Sequence, residues 1–277
     1  PRFWRASARP ARALGAKRRA MAAKKRKALR GSAEETEQLN KKAKRRRKSV
    51  VEKVEGPSAS EKLLPRTMEE RMAARRIVVV LEKCALECVQ PRKGALELLN
   101  SDDHHGIAAK SGRDVADLRP DITHQCLMAL LDSPLNKAGK LLIYLHTAQN
   151  VLIEVHPSLR VPRTFKRFAG LCVELLQRNK IRAAQANETL MKVVSNPVEK
   201  YLPPGSRRFG FSVSGRPVKL REFAAQLDAD GQQQGRAGDV PIVFSVGAVA
   251  RSDPVTEEKF GAGYTEENIS ICPWGLS

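Results

Sequence analysis

Two runs of aliphatic residues, IVVVL at 77–81 and IVFSV at 242–246, stand far apart in the chain, and neither alternates apolar with polar side chains. An unbroken apolar run of this length reads as a strand buried on both faces, which requires helices above and below the sheet. The sequence supplies them. After Asp121, residues Ile122, Cys126, Ala129 and Leu130 recur at helical spacing, and this helix is expected to stop before Pro134. Phe165, Phe168, Ala169, Cys172, Leu175 and Leu176 form the clearest amphipathic stripe. Residues 141–147 and 151–155 read as two strands around a short turn, 207–214 as another, and 268–271 as the start of a last one. Residues 97–105 and the Gly/Gln-rich stretch 228–239 read as loops, the second as a loop insertion. Alternating strands and helices imply an α/β domain with a mainly parallel sheet, covering 75–277.

Charge divides the chain differently. Its 277 residues carry a net charge of +20, of which +16 falls within the first 50 residues, where 19 Lys and Arg face three acidic residues. The remainder is nearly balanced, so a uniformly basic protein is excluded. Residues 1–65 have few aromatic or β-branched side chains and are expected to form a disordered basic tail. Its clusters, Lys24-Lys25-Arg26-Lys27 and KKAKRRRK at 41–48, read as nuclear or nucleolar addressing, as an RNA-contacting arm, or as merely solvated charge. No apolar run approaches the ~18 residues of a membrane-spanning helix. Five cysteines without zinc-site spacing read as ordinary thiols of a reduced, intracellular protein.

Three segments could carry chemistry. In RVPRTFKR at 160–167, four cationic side chains occur in eight residues without a carboxylate. Pro162 suits a first helical turn, and Arg163 and Arg167 are four apart, on one helix face. Such an arrangement suits phosphate oxygens, or else is a solvated basic face. In RPD at 119–121, Arg119 and Asp121 can pair; Asp121 either caps a helix or helps line a nucleotide pocket. Gly247 follows the second buried run, where a glycine lets a ligand approach the backbone. No glycine-rich dinucleotide or P-loop motif occurs. His104 and His105, beside Asp102 and Asp103, lack partners at metal-site spacing, so no metal is expected. His124, His146 and His156 read as packing or hydrogen-bonding residues.

The strings ELLNSDDH, LRPDITHQCLMALLDSPLNKAG, IYLHTAQNVLIEVHPSLRVPRTFKRFAGLCVELL, KVVSNPV and PIVFSVGAVA resemble the eukaryotic nucleolar rRNA pseudouridine N1-methyltransferases, of the SPOUT (α/β-knot) superfamily. The resemblance runs in order from residue 75 to 271. It implies a knotted α/β fold and a homodimer. It implies transfer of methyl from S-adenosyl-L-methionine to N1 of a pseudouridine in small-subunit (18S) rRNA. A role in small-subunit biogenesis follows, with pre-ribosomal protein partners, in the nucleus and nucleolus. The alternative within the family is a non-catalytic RNA-binding assembly factor.

Carried over by position, the resemblance places RNA contacts on Arg119, Arg160, Arg163 and Arg167. Asp121 would support them by holding Arg119. The cofactor would meet Ser212, Gly247, Ser252 and the loop Ile271, Cys272, Pro273, Trp274, Gly275 and Leu276. Two departures stand out. Ser252 occupies the place of a family glycine, and the family's ISNYPLSA reads ICPWGLS here. The helix that closes the knot in the family does not follow, so a C-terminally truncated SPOUT domain is expected.

Overall fold

The structure, a computed structural model, describes residues 76–91, 94–183, 188–233 and 241–274. The segment 1–65, expected to be a disordered tail, lies outside the described residues.

The chain opens with β1 (Ile77–Cys84), followed by the short strands β2 (Cys88–Val89) and β3 (Glu97–Leu98). Helices α1 (His105–Ser111), α2 (Pro120–Asp132) and α3 (Pro134–Lys137) lead to β4 (Leu141–Thr147) and β5 (Leu152–Val155). Then come α4 (Phe165–Arg178), β6 (Lys180–Arg182), β7 (Thr189–Val194), β8 (Arg207–Pro217), α5 (Leu220–Gln233), β9 (Ile242–Gly247) and β10 (Glu267–Ser270). Strands other than β2 and β3 form one eight-stranded sheet in the order β10-β8-β9-β1-β4-β5-β7-β6. From β10 to β4 every pairing is parallel; from β4 to β6 every pairing is antiparallel. The α/β class and the parallel core agree with the sequence. The antiparallel flank begins at the foreseen β4–β5 turn, where Asn150 takes φ +61°, a conformation asparagine tolerates.

β1 lies at the centre, which explains its unbroken apolar run. Val79 and Leu81 pack on one face against Phe168, Leu171 and Cys172 of α4 and Leu127 and Leu131 of α2. Val78 and Val80 face the other side, against Leu142, Tyr144, Val243 and Tyr264. Full burial of one such aliphatic side chain contributes about 1.5–3 kcal/mol. α2 starts with Pro120 at its first turn and stops at Ser133, whose hydroxyl accepts the Asn136 N–H to begin α3. α4 ends at Asn179, left-handed at φ 59°, whose N–H caps the Leu175 carbonyl at 2.7 Å.

The structure corrects several expectations. The 97–105 stretch contains β3, and α1 begins at its end, at His105. α5 continues to Gln233, so the first half of the expected loop 228–239 is helical; residues 234–239 lie outside the described ones. Leu220, Phe223 and Leu227 carried the helical spacing that announces α5. β6 and β7 had no clear period-2 signature. α4 begins at Phe165, so Pro162 and Arg163 lie in the turn ahead of it rather than in its first turn.

Candidate functional site

Because β10, β8, β9, β1 and β4 run in one direction, their C-terminal ends share one edge of the sheet. Ligand sites of open α/β sheets form there. On this edge Glu82 of β1 is in register with Gly247 of β9, and the Glu82 carbonyl accepts the Ala248 N–H at 2.9 Å. Phe211 of β8 pairs with Val246, which brings the next residue, Ser212, beside Gly247. Between Gly210 and Arg216 the pairing of β8 with β10 slips, so residues 211–215 bulge from that ladder.

The segment after β9 folds back over the strand end. A Cβ on Gly247 would lie 2.9 Å from Pro254 Cγ, so only glycine fits under this proline. The Ser212 hydroxyl donates to the Asp253 carboxylate and sits 2.8 Å from Ser214 Oγ. Ser252 holds φ +71°, the left-handed region where a side chain is unfavourable and a glycine is at ease. Lys83, also left-handed at φ +57°, reaches Ser252 Oγ at 3.4 Å and Glu257 at 3.1 Å. Ser212, Gly247 and Ser252 are thus gathered around Asp253 and Pro254.

The last loop forms a second, adjoining part. Ile271, Cys272 and Pro273 line an open cleft of about 600 Å³ with residues 213 and 215–219 and the start of α5. That volume lies within the about 300–1,000 Å³ of small-ligand sites. The loop is braced internally: the Ser270 hydroxyl donates to the Cys272 carbonyl and the Cys272 thiol to that of Trp274. Trp274 is largely exposed and outside the cleft lining. Gly275 and Leu276 lie outside the described residues. Gly247 and Ser252 do not line this cleft; β8, through Ser212 and Val213, connects the two parts.

The arginines stand on the helices. Arg119 grips Asp121 with both arms, Nε to Oδ1 at 2.8 Å and NH2 to Oδ2 at 2.7 Å. The hydrogen bond from Arg119 holds the Asp121 carboxyl below its ordinary range despite partial burial. His124 Nε2 donates to the Pro162 carbonyl at 2.7 Å, and its ring stacks on Phe168 at 4.5 Å. This fastens the arginine-bearing turn to α2. Arg163 then pairs with Asp132 at the far end of α2. Arg160 and Arg167 are exposed on the same turn and on the first turn of α4. Two contacts bring the start of α2, which carries Arg119, to the strand ends. Thr123 of α2 borders Cys84 at the end of β1. Arg251, four residues after Gly247, reaches Asp114 at 3.8 Å, just upstream of Arg119.

One buried cluster escaped the sequence reading. Glu82, with no exposed surface, accepts from His146 Nδ1 at 2.8 Å and from the Tyr264 hydroxyl at 2.6 Å. Burial alone would lower the His146 pKa, but the bonds to Glu82 and Asn150 outweigh it and the net shift is upward. Burial and the Glu82 charge push the Tyr264 hydroxyl far up. The signal was present: a carboxylate ending an otherwise apolar strand must find partners inside. Elsewhere, His104 Nδ1 accepts the Asn100 N–H and Nε2 faces Glu97. Among the described residues no group of three His, Cys, Asp or Glu side chains could hold a metal ion, and no helix is long and apolar enough to cross a membrane.

Comparison with known proteins completes the picture. Residues 79–277 match the family described as EMG1/NEP1 methyltransferase. The Schizosaccharomyces pombe protein named ribosomal RNA small subunit methyltransferase mra1 is 45% identical over 205 residues, which are 73% of this chain and 54% of that longer relative. The Drosophila melanogaster protein named ribosomal RNA small subunit methyltransferase NEP1 is 42% identical over 234 residues, covering 84% of this chain and 89% of the relative. The crystal structure of Archaeoglobus fulgidus Nep1 bound to S-adenosylhomocysteine shares the fold, with a TM-score of 0.51 at 22% identity over 73% of this chain and 91% of that one. With a family match that takes in every strand of the sheet but the first two residues of β1, and relatives at this level of identity, the chain belongs to the EMG1/NEP1 methyltransferase family.

Proposed function

We propose that this chain methylates small-subunit rRNA, using S-adenosyl-L-methionine to modify N1 of a pseudouridine. The observation that carries the reading is that, in a member of this family, the start of α2 with the Arg119–Asp121 pair lies beside the C-terminal strand ends, through Thr123 at Cys84 and Asp114 at Arg251. Arg119, Arg160, Arg163 and Arg167 bind the phosphates of a looped RNA, whose unstacked base is accessible as a duplex base is not. Asp121 holds the Arg119 fork in the orientation that phosphate requires. Ile271, Cys272 and Pro273 hold the cofactor in the cleft, and Ser212 and Gly247 meet it from the adjoining part at the end of β9.

When bound, the cofactor supplies a sulfonium methyl group: N1 bonds to that carbon as the sulfur–carbon bond breaks, and S-adenosylhomocysteine and the N1 proton leave. The chain's own contribution is to align the base and exclude water. On this reading the protein works in the nucleus and nucleolus, as a homodimer among pre-ribosomal proteins. A binding-only assembly factor is the second reading, favoured by Pro254 lying directly over Gly247.

Transfer of labelled methyl from S-adenosylmethionine to rRNA hairpins carrying either pseudouridine or uridine tests both. Label in the pseudouridine hairpin alone is the expected result. Tight RNA binding without label selects the binding-only reading, and equal label in the uridine hairpin rejects the N1 assignment.

A further inference from the structure

The buried Glu82–His146–Tyr264 cluster lies where the Gly247 loop leaves the sheet, and it ties down the segment that enters β10. The Glu82 main chain receives the Ala248 N–H, which starts the loop after Gly247. Its carboxylate receives the hydroxyl of Tyr264, which leads into β10 and on to Ile271. His146 arrives from β4 on the opposite side. A single carboxylate therefore joins a central strand, its neighbour and the approach to the last loop. Strain gathers at the same place, since Lys83 and Ser252 are both left-handed and in contact.

The geometry favours the protonated ring. Both ring nitrogens of His146 face oxygen acceptors, Glu82 Oε2 and Asn150 Oδ1, each at 2.8 Å. A doubly protonated ring donates to both, whereas a neutral ring sets the lone pair of one nitrogen against an oxygen acceptor. Phe260 meets the ring edge-on at 5.0 Å and screens it from water. The other charged or titratable groups around the cluster are Lys259, which opposes the histidine charge, Glu199, which acts on Tyr264, and the Cys84 thiol, which feels the Glu82 charge.

We propose that Glu82, His146 and Tyr264 are positioning residues that fix the spacing between the Gly247 loop and the Ile271 segment for the methyl donor. The inference rests on the reading that these two loops hold that donor. None of the three residues belongs to the arginine-bearing helices, so their role is separable from RNA binding.

The test is calorimetric titration of the full chain with S-adenosylhomocysteine from pH 6 to 9, alongside binding of a small-subunit rRNA hairpin. Tyr264→Phe is the mild variant; His146→Gln and Glu82→Gln probe the ion pair, with melting temperatures to establish folding. Loss of one buried hydrogen bond should weaken S-adenosylhomocysteine binding by about tenfold, with RNA affinity unchanged within experimental error. In the unaltered protein, cofactor affinity should fall as pH rises through the His146 titration, followed by imidazole proton resonances; His146→Gln should lack that step. Folded variants that bind the cofactor normally, or an affinity without a step where His146 titrates, overturn the proposal alone. An unaltered chain that takes up no S-adenosylhomocysteine at any pH overturns the loop assignment and this inference with it.

Discussion

The helix layer and the strand ends hold their charges by opposite means. On the helices, Arg119–Asp121 and Arg163–Asp132 are ion pairs between side chains 34–70% exposed. At the strand ends, Glu82 and His146 are 0% and 8% exposed. Solvent screens the first kind, which stabilises by about 0–1 kcal/mol and leaves the guanidinium groups able to change partner. The second kind has lost its water, so each member depends on the other. Exposed pairs therefore suit capture of a charged ligand, whereas a buried pair suits the holding of geometry.

The contrast is most exposed to test at Glu82. Glu82→Ala leaves His146 and Tyr264 without their acceptor and should cost about 3–5 kcal/mol in urea unfolding. If Glu82→Ala unfolded at the same urea concentration as Arg163→Ala, the distinction between the regions would vanish. The pH dependence sharpens it. Because the folded His146 pKa is raised, its contribution is complete below the ordinary histidine value and is lost as pH rises through the folded value. The stability gap between the unaltered protein and His146→Gln should therefore narrow toward alkaline pH.

Asp121→Gly should cost about 1 kcal/mol, from a half-exposed ion pair, a first-turn carboxylate and a poorer helix former. Here the sign reverses. The Asp121 carboxyl is held low by Arg119, so its contribution is present above the ordinary aspartate value and is lost as pH falls through the folded one. RNA affinity should fall as well, since Arg119 loses its brace. An unchanged affinity would remove Asp121 from the site. Ser252→Gly should raise stability by roughly 0.5–1 kcal/mol by relieving the left-handed backbone, measurable as a higher denaturation midpoint. The smallest change in stability, within about 0.5 kcal/mol, is expected for Arg163→Ala and Arg167→Ala. Each should nonetheless lower the salt dependence of rRNA binding by about one unit of slope.

Legibility followed the kind of interaction. The strand Leu141–Thr147 was legible to the residue, and the helix Phe165–Arg178 by its stripe although its start was read a turn early at Pro162, because a continuous apolar run and a helical stripe each report one local geometry. α5 was concealed by its Gly/Gln-rich second half, although Phe223 is buried against Phe209. β7 was missed because Leu190 and Met191, adjacent in sequence, are both buried, so alternation fails on a strand covered on both faces. At the candidate site, Arg119 and Asp121 were legible as a pair because they are two residues apart. The Arg163–Asp132 pair spans 31 positions and the Glu82–Tyr264 bond 182, and no local pattern reports such a partner.

The amino-acid order by itself determined the alternation of strands and helices, the segregation of positive charge and the positions of the exposed arginines. These depend on periodicity and composition, which are properties of neighbours in the chain. Tertiary structure alone decided that Pro254 covers Gly247, that Ser252 is bent into a left-handed conformation, and that Glu82 finds a histidine and a tyrosine in the interior. Parallel strands bring distant segments to a common edge, and a buried charge selects its partners from whatever that edge assembles.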